Sequence, residues 1–159
     1  MKRNAAILLA AAGVLLSIGT IGCDDDDNDV AGTRGALAIL NVDAPSFAQS
    51  GVEFGVTVDA ANVGVSNVRD GRVEITFESP LTPRAVAPSA GTTATVSGDR
   101  VTWTLQTLDA NTRSTLDVRV VAQLPAGAAS RSARIRAELT ARGISAGEAV
   151  ATDFVTVTP

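Results

Sequence analysis

The sequence predicts an all-β domain, a two-layer β-sandwich of about seven to nine short strands with Greek-key connections and no disulfide. Three observations favour this class. Beyond residue 35, apolar and polar residues alternate with a period of two, turn-forming residues separate the alternating segments, and helical periodicity of useful length is absent. Cys23 is the only cysteine, so burial alone must hold such a domain together.

Five segments alternate cleanly, and each is predicted to form a strand with one buried and one solvated face. They cover residues 52–58, 73–77, 101–105, 116–120 and 133–139. Less regular strands are expected at residues 36–41 and 150–158, and a short one at residues 93–97. Either of the two less regular strands, if unpaired, is a candidate to extend a partner's sheet. The predicted turns are residues 62–64, 70–71, 80–88, 97–99, 109–111 and 125–127.

The core of this sandwich is predicted to be aliphatic, because aromatic residues make up only 3% of the chain. Trp103 is the one large residue of the middle strands, and we expect it to be buried at the centre of the core. The chain has one Trp and four Phe, and most of these five aromatic residues fall at inward positions of the alternation. Exposed aromatic rings favour sugar binding, so this pattern makes a protein-interaction or structural role the first hypothesis and a carbohydrate-binding or adhesive role the alternative.

The amino terminus has the architecture of a secretory signal. Lys2 and Arg3 precede residues 5–22, which carry no charge and are rich in Leu, Ala and Val. An apolar run of this length is also close to what spans a bilayer, so an uncleaved signal anchor is the competing interpretation.

Residues 19–23 resemble the bacterial lipobox, in which small or apolar residues precede a Gly or Ala and then a Cys. Thr20 departs from the commonest pattern, which has Leu there. The resemblance implies cleavage between Gly22 and Cys23 and a covalent lipid on Cys23, which anchors the protein to a membrane of the cell envelope. Two or more acyl chains hold a protein stably, since each buried methylene contributes about 0.8 kcal/mol. The alternative is an ordinary secretory leader with an incidental cysteine.

The predicted organisation is therefore a signal peptide at residues 1–22, an acidic flexible tether at 23–35 and the sandwich domain at 36–159. Five Asp and one Asn fill residues 24–29, and such charge blocks repel themselves. A solvated spacer is the simplest interpretation. Asp24 also resembles a retention signal for the inner membrane, whereas acidic runs after the Cys resemble surface-export tethers, so the periplasmic or surface location stays open.

Composition excludes several functions. The mature chain has 17 acidic residues against 11 arginines, so clustered excess positive charge typical of nucleic-acid binding is missing. There is no His, and the only Lys is Lys2, so His-based, Ser-Lys and Schiff-base sites have no residues to build them. Four glutamates alternate with apolar residues, so we expect their side chains to face solvent and not to form a catalytic carboxylate pair. They are Glu53, Glu74, Glu78 and Glu138. We predict no enzyme activity and no cofactor beyond the lipid on Cys23.

From about residue 52 to residue 158 the chain resembles an immunoglobulin-like repeat that occurs, often in tandem, in large bacterial and archaeal surface proteins and has no assigned function. Residues 56–64 carry part of this resemblance, a strand followed by Asn-x-Gly. Residues 98–105, 108–111 and 114–120 carry the rest. Asn111 stands where the family has a turn Gly, and residues 79–83 replace its Leu-Pro-x-Gly. The resemblance implies an immunoglobulin-like sandwich with a scaffold or adhesive role at the cell surface.

Two surface sites are candidates. Arg119, Arg134 and Arg136 are predicted to line an outer sheet face. There they either pair with Glu74, Asp117 and Glu138, or form a patch that docks an acidic glycan or an envelope protein. The second candidate is a calcium site built from carboxylates at one end of the sandwich. Its ligands would be Asp43, Asp59, Asp70 and Asp109.

Overall fold

The computed structural model describes residues 35–159, apart from the side chains of residues 145 and 146. Cys23, the predicted signal peptide and the acidic run lie outside the described residues. Within residues 35–159 we find no helix with the length and apolarity needed to span a bilayer.

Ten strands make up this part of the chain, and they form two sheets. Their bounds are β1 Ala38–Asp43, β2 Phe47–Gln49, β3 Glu53–Asn62, β4 Val68–Phe77, β5 Leu81–Pro88, β6 Thr93–Ser97, β7 Arg100–Leu108, β8 Arg113–Ala122, β9 Arg131–Ala141 and β10 Ile144–Thr158. The four-stranded sheet has the order β1-β3-β8-β5, and the six-stranded sheet has the order β2-β10-β9-β4-β7-β6. The predicted all-β, immunoglobulin-like sandwich is confirmed.

The alternation places most apolar residues of the predicted strands in the core, although Val52 lies before β3 and is 50% exposed. On β3, Val56, Val58 and Ala60 point into the core, while the residues between them are half-buried or exposed. Trp103 on β7 is completely buried, and its indole Nε1 donates a hydrogen bond to Thr92 Oγ1 at 3.0 Å. Apart from this indole and the ring of Phe77, the buried core is aliphatic.

Two strands were not predicted from the alternation of apolar and polar residues. Residues 80–88 were expected to turn because of their prolines, yet most of them form β5. β5 is an edge strand with a bulge between Pro83 and Ala85, and an edge tolerates residues that lack an N–H. β2 is only three residues long, too short for a period to be visible.

The predicted turn at residues 70–71 is also wrong. Asp70 and Gly71 lie inside β4, where the register with β7 shifts on both sides of Gly71. Asp70 has a φ of 55°, the conformation that Asn, Asp and Gly adopt most readily. An Asp-Gly pair therefore marks a β-bulge here instead of a chain reversal.

The Asn-x-Gly turn is held by the Asn62 side chain, as expected, but Gly64 does not adopt a positive φ. Asn62 is buried, and its Oδ1 accepts a hydrogen bond from Gly64 N at 3.0 Å. Asn111 adopts a φ of 59° in the β7–β8 turn, where its backbone N–H donates to the Asn62 carbonyl at 2.9 Å. Asn takes over the role that Gly has in the similar repeat, because it tolerates the left-handed conformation.

Neither of the two strands proposed for sheet extension is wholly unpaired. β1 is an edge of the four-stranded sheet, with β3 as its neighbour. β10 pairs with β9 along one side and with β2 over its last three residues on the other. The short crossing from β1 to β2 carries the chain from one sheet to the other.

Candidate functional site

Exposed aromatic residues meet on the outer face of the six-stranded sheet. Phe154 on β10 is 57% exposed, and Phe47 on β2 is 70% exposed. β2 runs parallel to β10 with Phe47 opposite Thr156, so Phe47 and Phe154 lie on the same face, diagonal to one another. Neighbouring exposed apolar rings form a patch of the kind that marks interaction sites, which makes this face a candidate for binding.

The crossing between β1 and β2 fixes Phe47 in this position. Ala44 N donates to the Asp153 carboxylate at 2.9 Å, and Thr156 N donates to Ser46 O at 3.0 Å. Ala48 is buried beneath the strand while its neighbours point outward. Three residues of strand are therefore enough to hold a phenylalanine ring in solvent.

Arg134 lies next to Phe154, on the side of β10 away from Phe47. It is the Cα partner of Phe154 across the β9–β10 pair, and it makes no ion pair among the described residues. Its backbone is held by Glu78, whose N–H donates to Arg134 O at 2.9 Å and whose carboxylate accepts from Arg134 N at 3.3 Å. We call Phe47, Phe154 and Arg134 the aromatic face.

Arg136 continues along β9 from Arg134 but is already paired. Its guanidinium contacts the Glu138 carboxylate at 2.6 Å, along one strand. A shallow groove of about 420 Å³ lies next to Arg134 and Arg136, and Thr76 and Asp99 contribute to its lining. Two of the three predicted patch arginines thus lie together beside the phenylalanines.

Arg119 does not lie on the same surface as Arg134 and Arg136. It lies on β8, in the four-stranded sheet, beside a separate groove of about 370 Å³ lined by Gly55, Ala85 and Asp117 among others. Because β8 and β9 belong to different sheets, their outward side chains point to opposite sides of the sandwich. The three arginines predicted as one patch are therefore divided between two surfaces.

The pairing expected for these arginines is found only in part. Arg136 pairs with Glu138, as expected. Glu74 pairs instead with Arg100, and Asp117 accepts a hydrogen bond from the Thr57 hydroxyl at 3.0 Å. Glu53 and Glu78 are exposed, as predicted for the wet side of a sheet.

The four carboxylates predicted to gather around a calcium ion do not lie together among the described residues. Asp43 lies at the end of β1 opposite Thr57, while Asp109 lies in the β7–β8 turn at the other end of the domain. Asp59 accepts a hydrogen bond from Thr115 at 2.8 Å, Asp70 pairs with Arg142 at 2.9 Å, and Asp109 accepts from Asn67 at 2.8 Å. No group of three or more carboxylate, His or Cys side chains comes together in residues 35–159.

Comparisons with known proteins identify the fold. No protein-family model matches the chain, and no curated protein does. Among solved structures, the CARDB domain of the PF1109 protein from Pyrococcus furiosus, solved in complex with di-metal ions, has a TM-score of 0.55 at 15% identity, covering 77% of this chain and 89% of that one. A cohesin module from a Clostridium perfringens glycoside hydrolase has a TM-score of 0.55 at 10% identity, covering 78% and 98%.

A third similar structure is AvmM, which catalyses macrocyclization in alchivemycin A biosynthesis. It has a TM-score of 0.53 at 12% identity, covering 79% of this chain and 90% of that one. Identities this low establish the sandwich fold and leave function to be argued from the surface of this chain.

Proposed function

We propose that this protein is a non-catalytic interaction module, lipid-anchored in the cell envelope, which binds a partner protein through the aromatic face. The observation that carries the proposal is the pair of exposed rings, Phe47 and Phe154, with the unpaired Arg134 beside them. Phe and the other aromatic residues are enriched at protein interfaces relative to the rest of the surface, as is Arg. The partner that fits is a protein with an apolar patch bordered by a carboxylate, which would pair with Arg134 as the rings are covered.

The proposed location in the cell envelope rests on the amino-terminal leader, residues 1–22. The charged start, the uncharged run at residues 5–22 and the lipobox-like residues 19–23 together support acylation of Cys23. The similarity in fold to CARDB and cohesin domains is compatible with a domain that displays a binding surface. The similarity to AvmM shows that the same fold also occurs in a protein that catalyses a reaction.

The anchor is tested by growth with labelled palmitate in the native host. We expect label in the wild-type protein and none in the Cys23→Ser variant, because Cys23 is the only thiol in the chain. Mass spectrometry of the mature protein should place its amino terminus at Cys23. An intact leader, or a different amino terminus, would contradict the anchor.

The aromatic face is tested by replacing Phe154 with a photoreactive phenylalanine analogue in cells. We expect one discrete crosslinked protein from position 154 and none from Thr95, which is exposed on β6 at the other edge of the same sheet. With that partner purified, Phe154→Ala should weaken binding about tenfold or more, as truncation of a central aromatic anchor does. Thr95→Ala is the matched control and should leave the affinity unchanged. Equal affinity in the two variants would refute the assignment.

Carbohydrate binding is the second candidate, and the same two rings favour it. The alternation predicted that most aromatic residues point inward, but Phe47 and Phe154 are both exposed and available to stack on a sugar. A glycan array separates the two candidates. Glycan binding that is lost in Phe154→Ala, with no crosslinked protein from position 154, would reverse their order.

A further inference from the structure

A second group of exposed apolar residues lies where the chain enters the domain. Leu37 is 57% exposed, Val63 is 47% exposed and Val65 is 68% exposed. Val63 N donates a hydrogen bond to Leu37 O at 2.8 Å, so the β3–β4 turn is joined directly to the first residues of the domain. We call Leu37, Val63 and Val65 the apolar tip.

The backbone packs closely at this tip. A Cβ on Gly64 would lie 2.5 Å from Gly35 O and 2.6 Å from Leu37 N. Gly64 is itself buried, so the turn brings Val63 and Val65 to the surface on either side of it. Exposed turns are normally filled by Gly, Asn, Asp, Ser and Pro, and two β-branched apolar residues have no packing role in this one.

Most of the side chains that line the surface next to the tip are apolar. A groove of about 410 Å³ runs beside Leu37, and Ala36, Ile144 and Ala149 contribute to its lining, with Glu148 the one charged residue among the lining side chains. Arg142, which precedes this groove, is neutralised by its ion pair with Asp70.

The length of the predicted tether limits how far the apolar tip can lie from the membrane that holds Cys23. Ala36 follows Cys23 by thirteen positions in the sequence. A flexible chain of this length spans about 20 Å on average and roughly 45 Å at full extension. An anchored Cys23 therefore keeps a bilayer surface within reach of the tip, at high effective concentration.

We propose that the apolar tip rests in the headgroup region of the bilayer that holds Cys23, so that the domain stands end-on to the membrane. This inference rests on the lipid anchor proposed above. Apolar side chains that enter this boundary add membrane affinity in proportion to the area they bury. Phe154 lies five residues along β10 from Ala149, or about 17 Å. The aromatic face is then held above the headgroups, turned sideways toward a partner.

The test uses the full mature chain, acylated at Cys23 and reconstituted in phosphatidylethanolamine–phosphatidylcholine vesicles that contain a headgroup-region quencher. Because the only native thiol carries the lipid, Val65→Cys provides a unique site for a fluorophore. Val52→Cys is the matched control, since Val52 is a 50% exposed valine in the turn before β3, at the opposite end of that strand from the tip. We expect quenching at position 65 to exceed that at position 52 by about threefold, as for side chains inserted 5–10 Å into the boundary.

Equally weak quenching at both positions, with the protein sedimenting with the vesicles, would overturn the inference and leave the anchor intact. Failure to sediment, with Cys23 unmodified by mass spectrometry, would instead overturn the anchor and the inference together. A second variant removes dependence on one labelled site. With the fluorophore at Leu37→Cys, the changes Val63→Ser and Val65→Ser should at least halve the quenching, because a hydroxymethyl group gains little from leaving water. Both valines are exposed, so the fold should persist, as checked by circular dichroism.

Discussion

Replacing Trp103 with alanine is expected to lower the free energy of unfolding by about 3–5 kcal/mol, the usual cost of truncating a fully buried Trp. Trp103 is the largest fully buried side chain of the core, and its strand neighbours are Val73 on β4 and Ala94 on β6. These neighbouring side chains are small and aliphatic, so they cannot fill the cavity that removal of the indole leaves. A domain of this size is stable by only about 5–15 kcal/mol, so the variant is expected to approach the limit of folding.

Urea unfolding followed by circular dichroism is the measurement, because the variant has no tryptophan to report by fluorescence. Trp103→Phe keeps most of the apolar volume and should cost less than the alanine variant. Thr92→Val removes the acceptor of the indole hydrogen bond and also the bond that Thr92 Oγ1 donates to Ser89 O at 2.8 Å, and each bond is worth about 0.5–1.5 kcal/mol. A loss below about 1 kcal/mol in Trp103→Ala would mean that the core closes around the cavity and does not depend on the indole.

The second large effect is expected at Asn62, the one buried polar side chain among the described residues. Its Nδ2 donates to Ser66 O at 2.9 Å and to Leu108 O at 3.0 Å, while its Oδ1 accepts from Gly64 N. One amide therefore satisfies three backbone groups and ties the β3–β4 turn to the end of β7. Asn62→Ala leaves these groups without partners, and we expect a loss of about 2–4 kcal/mol, since each unsatisfied buried group costs roughly 1–3 kcal/mol.

Two further variants sharpen this result. Asn62→Asp keeps the acceptor for Gly64 N but loses both donors and buries a carboxylate, so it should be at least as unstable as Asn62→Ala. Asn67→Ala is the matched control, because Asn67 is an exposed Asn of the same turn whose bonds to Asp109 and Ala110 lie at the surface. It should cost about 1 kcal/mol or less. Similar losses at Asn62 and Asn67 would show that burial of the amide is not what matters.

Much of the fold was predictable because its strands are half-buried. Residues 133–139 illustrate this, since their Ala and Arg content suggests a helix while their alternation indicates a strand, and they lie in β9. The turn roles of Asn62 and Asn111 were also interpreted correctly, because the bond from Gly64 N to Asn62 and the left-handed φ of Asn111 are local, whereas the bond from Asn62 to Leu108 O had no local signal. β5 was missed because prolines are read as turn residues, and only its place at a sheet edge makes them compatible with a strand.

The candidate site was only partly visible. Phe154 alternates with Val155 and Val157 and shares its phase with Thr152 and Thr156, so its outward position had a signal in the sequence. Phe47 had none, because β2 is defined by its pairing with β10 and not by its own three residues. Arg119 and Arg134 were both correctly expected to point outward, but nothing local says to which sheet a strand belongs.

By itself, the sequence determined the class of fold, the side of each main strand that is buried and the central place of Trp103, because these follow from hydrophobic periodicity within a few residues. The tertiary structure alone decided which outward residues share a surface. It separated Arg119 from Arg134, dispersed the four candidate calcium carboxylates and brought Phe47 beside Phe154. The physical reason is that backbone hydrogen bonds between strands distant in sequence set their order and register, and that order is not encoded in any single strand.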